Sequence, residues 1–329
     1  MAESITVYLH FPCFDGVISA VLASEYLNRK RGWETRDIVP VNYDRQASWA
    51  ESQLSEPAVV VDFLYHPRAI FWADHHQTSF CSESLRADYD YRHRSSPDLL
   101  YDPAVSSCAE LLWRRVRRQL SEPRFREMVA WARRIDGARY DTVEEAVLGN
   151  APALRISQSF LNDSSAEYCR FLVESLRAQT LGEVAASSMV RDRYASVRKA
   201  IKRGQKLFSS ASRIGGNGIV VFQLPRQTDN TFVSRYAPYL EYPNARYSVG
   251  ITPHGDGAKI TAMRNPWRRF KSLPLGQIFR HYGGGGHQRV ASVLVNSATE
   301  AETTLGAILK DIESQAGGVA KKIKRSASR

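Results

Sequence analysis

Apolar and polar residues are spaced differently in successive stretches of the chain. Ser4–Phe11 (SITVYLHF) alternates, with Ile5, Val7 and Leu9 on one face, and predicts a strand. Over Val17–Arg31 the apolar residues Ile18, Val21, Leu22 and Tyr26 fall at helical spacing. Gly32 follows, so a helix with a glycine stop is expected. Ala58–Phe63 (AVVVDF) and Ile70–Ala73 (IFWA) are short continuous apolar runs, the pattern of strands buried on both faces. Strands alternating with helices in this way predict an α/β fold, a mostly parallel sheet with flanking helices. Residues 104–178 read as helical, with Leu111, Leu112, Trp113, Met128, Val129 and Trp131 as core. Residues 182–208 read as one amphipathic helix. Strands follow at Ile219–Gln223, Tyr247–Ile251, Lys259–Met263 and Ala291–Val295, then a helix over Thr299–Gln315. The expected division is a first domain over 1–183, a basic linker helix over 184–209, a smaller α/β domain over 210–316, and a basic tail over 317–329. The tail has no apolar pattern and is expected to be disordered.

Composition narrows the class. The 329 residues suit about two domains at ~100–200 residues each. A hydrophobic fraction of 43% with 24% charged residues excludes a disordered chain. No apolar run approaches the ~18 residues of a membrane helix, and the start does not read as a secretion signal. The cysteines, at 13, 81, 108 and 169, show no CxxC spacing. They argue against a zinc ribbon and fit a reducing cytoplasm. Lys and Arg outnumber Asp and Glu 45 to 34, which suggests a polyanionic partner, nucleic acid first. Between Ala186 and Lys206 stand seven Lys or Arg against one Asp, either a solvated linker face or a basic wall beside a nucleic-acid site.

Candidate chemistry sits at the ends of the predicted strands. His10, Cys13 and Asp15 follow the first, Asp62 ends VVVD, and Asp74-His75-His76 ends the run from Ile70. Residues past the carboxyl ends of parallel strands line one crevice. Carboxylates gathered there repel one another, and a divalent cation removes that penalty. Asp oxygens with imidazole nitrogens suit manganese or magnesium, and two ions ~3.5–4 Å apart bridged by one carboxylate can activate water against a phosphoryl group. A lone Asp62 would read as a turn or helix cap, but three such endings in succession do not. His66 and His93 read as ordinary surface histidines.

At these residues the chain resembles the DHH family of phosphoesterases. Asp74-His75-His76 is similar to the motif that names it. HFPCFDGVISA (10–20) resembles the first motif, Asp62 the lone aspartate of the second, and Asp136 in RRIDG the fourth. Tyr101–Leu111 resembles the Ser-rich entry to the helix after DHH. GGGGHQRVAS (283–292) resembles the signature of the first type of DHH-associated domain, and Met263-Arg264-Asn265 sits where that domain has a strand ending in Arg. The resemblance spans residues 5–315 and covers the exonuclease and nanoRNase branches. It implies a hydrolase with two metal ions, Mn2+ first and Mg2+, Co2+ or Zn2+ as alternatives, in a cleft between two domains. It further implies that His10 and the first-block acid hold one ion. Asp15, His75 and Asp136 would hold the other, with Asp62 bridging. Asp74 would support that shell and His76 contact the scissile phosphate. In the second domain Arg264, Gly284, Gly285, Gly286 and His287 would bind substrate. The residues themselves fit, since glycines present N–H groups to an anion and Arg264 can bind phosphate bidentately. Arg268, Arg269 and Lys271 around Trp267 and Phe270 form a basic-aromatic patch suited to stacking, although a buried Trp267 fits equally.

One position departs from the family. Where the first block carries an earlier acid, this chain has Cys13. A thiolate favours zinc or similar ions over manganese, or Cys13 is a small buried residue. The expected activity is phosphodiester hydrolysis, foremost of short oligonucleotides to mononucleotides. Cyclic or linear dinucleotides and nucleotide bisphosphates are alternative substrates. A nucleotide- or nucleic-acid-binding protein with an impaired site is the alternative of another class. No membrane partner is expected, and a homodimer stays open.

Overall fold

The computed structural model describes residues 3–226 and 230–326, with side chains described through residue 315. The chain divides into two compact units, one of residues 1–140 with 149–197 and one of residues 141–148 with 198–329.

The first unit opens with β1 (Ser4–His10), α1 (Phe14–Arg31), β2 (Glu34–Val41), β3 (Ala58–Val61) and β4 (Ala69–Asp74). α2 (Glu83–His93) and β5 (Leu99–Tyr101) complete the sheet. The strand order is β2-β1-β3-β4-β5 and every pairing is parallel. The burial of all four β3 residues explains its unbroken Val run, because a central parallel strand has apolar neighbours on both faces. β2 lies at the edge and keeps Glu34, Thr35, Arg36 and Asp37, so its polar sequence gave no strand signal. α1 is buried along Phe14–Ser24 and ends at Gly32 with φ 69, the left-handed stop its sequence implied. It begins at Phe14 rather than Val17, which places Asp15 in its first turn. α3 (Cys108–Val116) and α4 (Pro123–Asp136) pack in the same core cluster as α1, through Leu112, Val116, Phe125 and Met128.

Helix α5 (Val143–Leu148) clusters with the second unit, although sequence placed it in the first domain. The first unit resumes with α6 (Pro152–Ser159), α7 (Ala166–Ala178) and α8 (Leu181–Ala186), and α9 (Ser188–Ser210) runs into the second. The single helix expected over 182–208 is therefore two. Ser187 is extended at ψ 150, closes α8 with its N–H on Val184 O, and accepts from Val190 N at the start of α9. A serine that caps in both directions offers no Gly or Pro for a reader to see.

The second unit is a six-stranded sheet in the order β10-β11-β9-β8-β7-β6. Its strands are β6 (Ser212–Ile214), β7 (Ile219–Gln223), β8 (Tyr247–His254), β9 (Gly257–Arg264), β10 (Gly285–Gly286) and β11 (Val290–Val295). Only β7–β8 is parallel, so this sheet is mixed. α10 (Ala237–Glu241) packs with α5. α11 (Leu275–Arg280) and α12 (Ala298–Ser326) share the sheet's core through Leu275, Ile278, Phe279, Ala301, Ile308 and Ile312. Of the tail expected to be disordered, 317–329, residues 317–326 continue α12, and 327–329 lie outside the described residues. No helix among the described residues is long and apolar enough to cross a membrane.

Candidate metal centre

The parallel sheet delivers its polar residues to one end. His10 is the last residue of β1, Asp62 follows β3, and Asp74 ends β4 with His75 and His76 behind it. Asp62 has φ 56, a left-handed backbone that a non-glycine residue rarely adopts, and its N–H donates to Ala73 O. That turn ends β3 at Val61, two residues before the expected end, and seats the carboxylate at the strand's tip. Gly16 explains the DG step. A Cβ there would stand 2.0 Å from His10 O, so only glycine lets α1 start against the end of β1.

The side chains converge. His75 Nε2 lies 3.7 Å from Asp15 Oδ2, 3.6 Å from Asp62 Oδ1 and 3.5 Å from Asp136 Oδ2. His10 Nδ1 lies 3.6 Å from Asp62 Oδ2. Three sets of possible ligand atoms are each gathered within 4.8 Å: His10, Cys13 and Asp62; Asp62, His75 and His76; Asp15, His75 and Asp136. Asp62 and His75 each occur in two of them.

Four atoms of this cluster, His10 Nδ1, Asp62 Oδ1, Asp62 Oδ2 and His75 Nε2, are buried and make no hydrogen bond. Buried polar atoms are almost always paired, and an unpaired carboxylate is the costliest exception. Atoms bound ~2.0–2.2 Å from a common cation stand about 3–3.6 Å apart, near the spacings here. The donor set and the orphaned atoms both fit divalent metal. Asp136 adds a third sign. It is the last residue of α4, where the helix dipole disfavours a carboxylate.

The neighbours hold the cluster in shape. Asp15 accepts from Cys108 N at 2.6 Å and Ala109 N at 2.9 Å, the N-terminus of α3. Asp74 is fully buried and accepts from His75 N and from His76 Nδ1, both at 2.8 Å, and from Ser79 Oγ at 2.5 Å. This fixes the His76 ring with Nδ1 on Asp74 and Nε2 left for a ligand. Tyr43 packs edge-on against His10, with ring centroids 5.0 Å apart, and Asn42 caps the turn that Tyr43 begins by accepting from Tyr43 N. Sequence reasoning missed Asn42, Tyr43 and Ser79. The only available signal was VNYD, a polar ending to an unrecognised strand.

Electrostatics follow from this crowding. Burial, then the charges of Asp15, Asp74 and Asp136, push Asp62 well above the usual carboxylate range. Burial raises Asp15 to about 6 against the helix N–H groups that favour its charge. Burial and then His76 lower His10 to about 4, and the same two causes lower His75. Both imidazoles are thus neutral and fit to ligate at neutral pH. Burial also opposes a charge on His76, but the Asp74 hydrogen bond and charge prevail and raise it. Burial and the charges of Asp62, Asp15 and Asp136 push the Cys13 thiol up.

The other expectations divide. His66 is buried, not a surface residue: its Nε2 meets Ser52 O, its Nδ1 accepts from Arg68 N, and its ring packs on Trp49. His93 is exposed, as its sequence suggested. In the second unit Arg264 donates to the carbonyls of Asn265, Arg268 and Phe270 and lies 4.3 Å over the Phe270 ring. Its guanidinium thus shapes the 265–270 loop. Gly284 and Gly286 pack so closely on β11 that a Cβ would meet Ser292 O at 2.5 Å and Val290 O at 2.4 Å. Gly285 has open space, and His287 is exposed on a turn closed by its own N–H to Val290 O. Trp267 packs half-buried on Tyr236 and Tyr239, and lines a hollow of about 230 Å³ with Asp141 and Glu144. Trp267 thus stands between the two readings offered for it, partly buried in the fold, with Arg268, Arg269 and Lys271 exposed beside it.

No protein-family model and no curated protein matches the chain. Solved structures do. The chain is similar to PggH, a pGpG-specific phosphodiesterase from Vibrio cholerae, at TM-score 0.70 and 16% identity over 96% of this chain and 99% of that one. It is similar to the DHH domain of PF0399 at TM-score 0.57 and 13% identity, over 94% and 87% of the two chains. It is also similar to RecJ from Thermus thermophilus, solved with Mn2+ and with Mg2+. The Mn2+ form matches at TM-score 0.51 and 14% identity, over 96% of this chain but 52% of RecJ. The fold is that of the DHH-domain proteins.

Proposed function

We propose that this chain, folded as the DHH-domain proteins are, is a member of the DHH phosphoesterase family: a metal-dependent hydrolase of phosphodiester bonds. The observation that carries the reading is the set of orphaned buried atoms on His10, Asp62 and His75 at the tips of three parallel strands. His10, Cys13 and Asp62 would hold one divalent ion, Asp15, His75 and Asp136 a second, with Asp62 shared. Bound there, such a pair supplies Lewis-acid charge and an activated water.

The chain's own residues then have distinct tasks. Asp74 holds the His76 ring through Nδ1, and the raised proton affinity of His76 suits its Nε2 to donate to a phosphoryl oxygen. Asp15 is anchored by the α3 N-terminus, so its carboxylate does not move when charge enters the site. In the second unit the exposed His287 offers its imidazole to a phosphate beside the β10 glycines. Arg264 serves that surface by shaping its loop.

The substrate is a short oligonucleotide, with a linear dinucleotide its smallest form. Likeness to PggH over nearly the whole of both chains, against half of RecJ, favours the short end. The excess of Lys and Arg supports a polyanion. A length series of RNA and DNA oligomers, with pGpG, a cyclic dinucleotide and a nucleotide bisphosphate, tests this in the presence of Mn2+, Mg2+, Co2+ or Zn2+. Turnover is expected to be fastest on two- to five-residue oligomers (about that length, given phosphate and stacking contacts only). Turnover of the bisphosphate alone would replace the substrate assignment. Binding without hydrolysis under every metal would replace the enzymatic one.

A further inference from the structure

The two groups of ligand atoms around Asp62 differ in chemistry. Asp15, His75 and Asp136 offer two carboxylates and an imidazole, whereas His10, Cys13 and Asp62 offer an imidazole, a sulfur and one carboxylate. Cys13 occupies the N-cap of α1, where Ser, Thr, Asp or Asn normally serves, yet makes no cap hydrogen bond. Its sulfur lies within 4.8 Å of a His10 ring nitrogen and an Asp62 oxygen, and His10 Nδ1 and both Asp62 oxygens are buried and unpaired. Asp62 itself is 1% exposed. The other cysteines are otherwise engaged. Cys108 donates to Ala73 O, Cys81 is exposed beside Gln46 O, and Cys169 is in the apolar core.

We propose that the His10–Cys13–Asp62 position binds a thiolate-preferring divalent cation, of the Zn2+ or Co2+ class, through the Cys13 sulfur, while Asp15, His75 and Asp136 keep an oxygen-preferring ion. The centre is thus mixed in metal. This rests on reading the cluster as a cation site. Ligand softness decides it, since sulfur selects zinc-like ions and carboxylate with water selects Mn2+ or Mg2+. Binding forms a sulfur–metal bond and breaks the S–H bond. The proton passes to solvent, and nothing is oxidised or reduced.

The test is a Co2+ titration of the full chain, read by absorption and by metal content, beside Cys13→Ser and Cys13→Asp. The expected result is two equivalents bound, with a near-ultraviolet sulfur-to-cobalt band that appears in the parent and is lost in both variants. Competition of Zn2+ with Mn2+ should shift toward Mn2+ in Cys13→Asp by at least about tenfold, since even an outer partner of a metal ligand is worth that much. Two bound equivalents with no sulfur band would overturn the thiolate assignment and leave the two-ion site standing. No bound cobalt, with circular dichroism showing a folded chain, would overturn both.

Discussion

The strand tips of the first unit and the glycine turn of the second solve opposite problems. At the tips, Asp62 and His75 are withdrawn from water with ligand atoms unpaired, and four carboxylates crowd one another. In the turn, the Gly276 and His287 N–H groups are paired, Arg264 is held by three carbonyls, and His287 stands in solvent. The first arrangement is unstable without a cation. The second is complete within the fold, its N–H groups and guanidinium already paired. Catalysis and metal uptake should therefore respond steeply to changes at the tips, and substrate affinity mildly to changes at the turn.

The largest effects should come from the shared residues. His75→Ala and Asp62→Asn should each lower turnover by at least about 10³-fold, the upper range for loss of one electrostatic contact. Asp62→Asn should also raise the melting temperature of metal-free protein near neutral pH, because it removes a buried carboxyl whose ionisation burial and its neighbours oppose. A fall in that temperature under chelator would show Asp62 to be a structural ion-pair member. Gly16→Ala comes next. Its Cβ would strike His10 O, and overpacking of this kind costs about 1–3 kcal/mol. Denaturation should show that loss together with weaker metal uptake, and uptake unchanged would detach α1 from the site.

A smaller effect follows from Asp15, whose raised pKa of about 6 means that it takes up a proton on acidification through that value. Metal affinity should fall as pH drops below about 6, as read by calorimetry. The sign for stability is opposite. Between the ordinary carboxylate value and about 6 the native chain holds a proton that the unfolded chain has lost, so metal-free stability should decline as pH rises across that window. Bound metal should flatten the decline. The mildest change is His287→Ala. It should raise KM for oligonucleotides by about 10-fold, near the value of one charge-assisted contact, with metal uptake unaltered. Altered uptake would end the contrast between the two regions.

Most of the tip region was legible because a polar residue after an apolar strand is conspicuous. His10, Asp62 and Asp74–His76 each end such a run, and Asp136 follows from the resemblance. What was hidden had lost that contrast. Edge strand β2 carries Asp37 and Pro40 and gave no apolar run, so Asn42 and Tyr43 behind it went unnoticed. Ser187 breaks a basic helix without Gly or Pro. His66 looked like a surface residue because its burial depends on Trp49, 17 residues away. In the second unit sequence located the glycines, but their tight packing on β11 is a matter of tertiary approach that composition does not encode.

Anomalous diffraction from crystals soaked in Mn2+ and then Zn2+ tests the central claim most directly. Two peaks ~3.5–4 Å apart, both within bonding reach of Asp62, with zinc on the His10–Cys13 side, are the expected result. A lone ion, or ions that leave Asp62 uncoordinated, would contradict it.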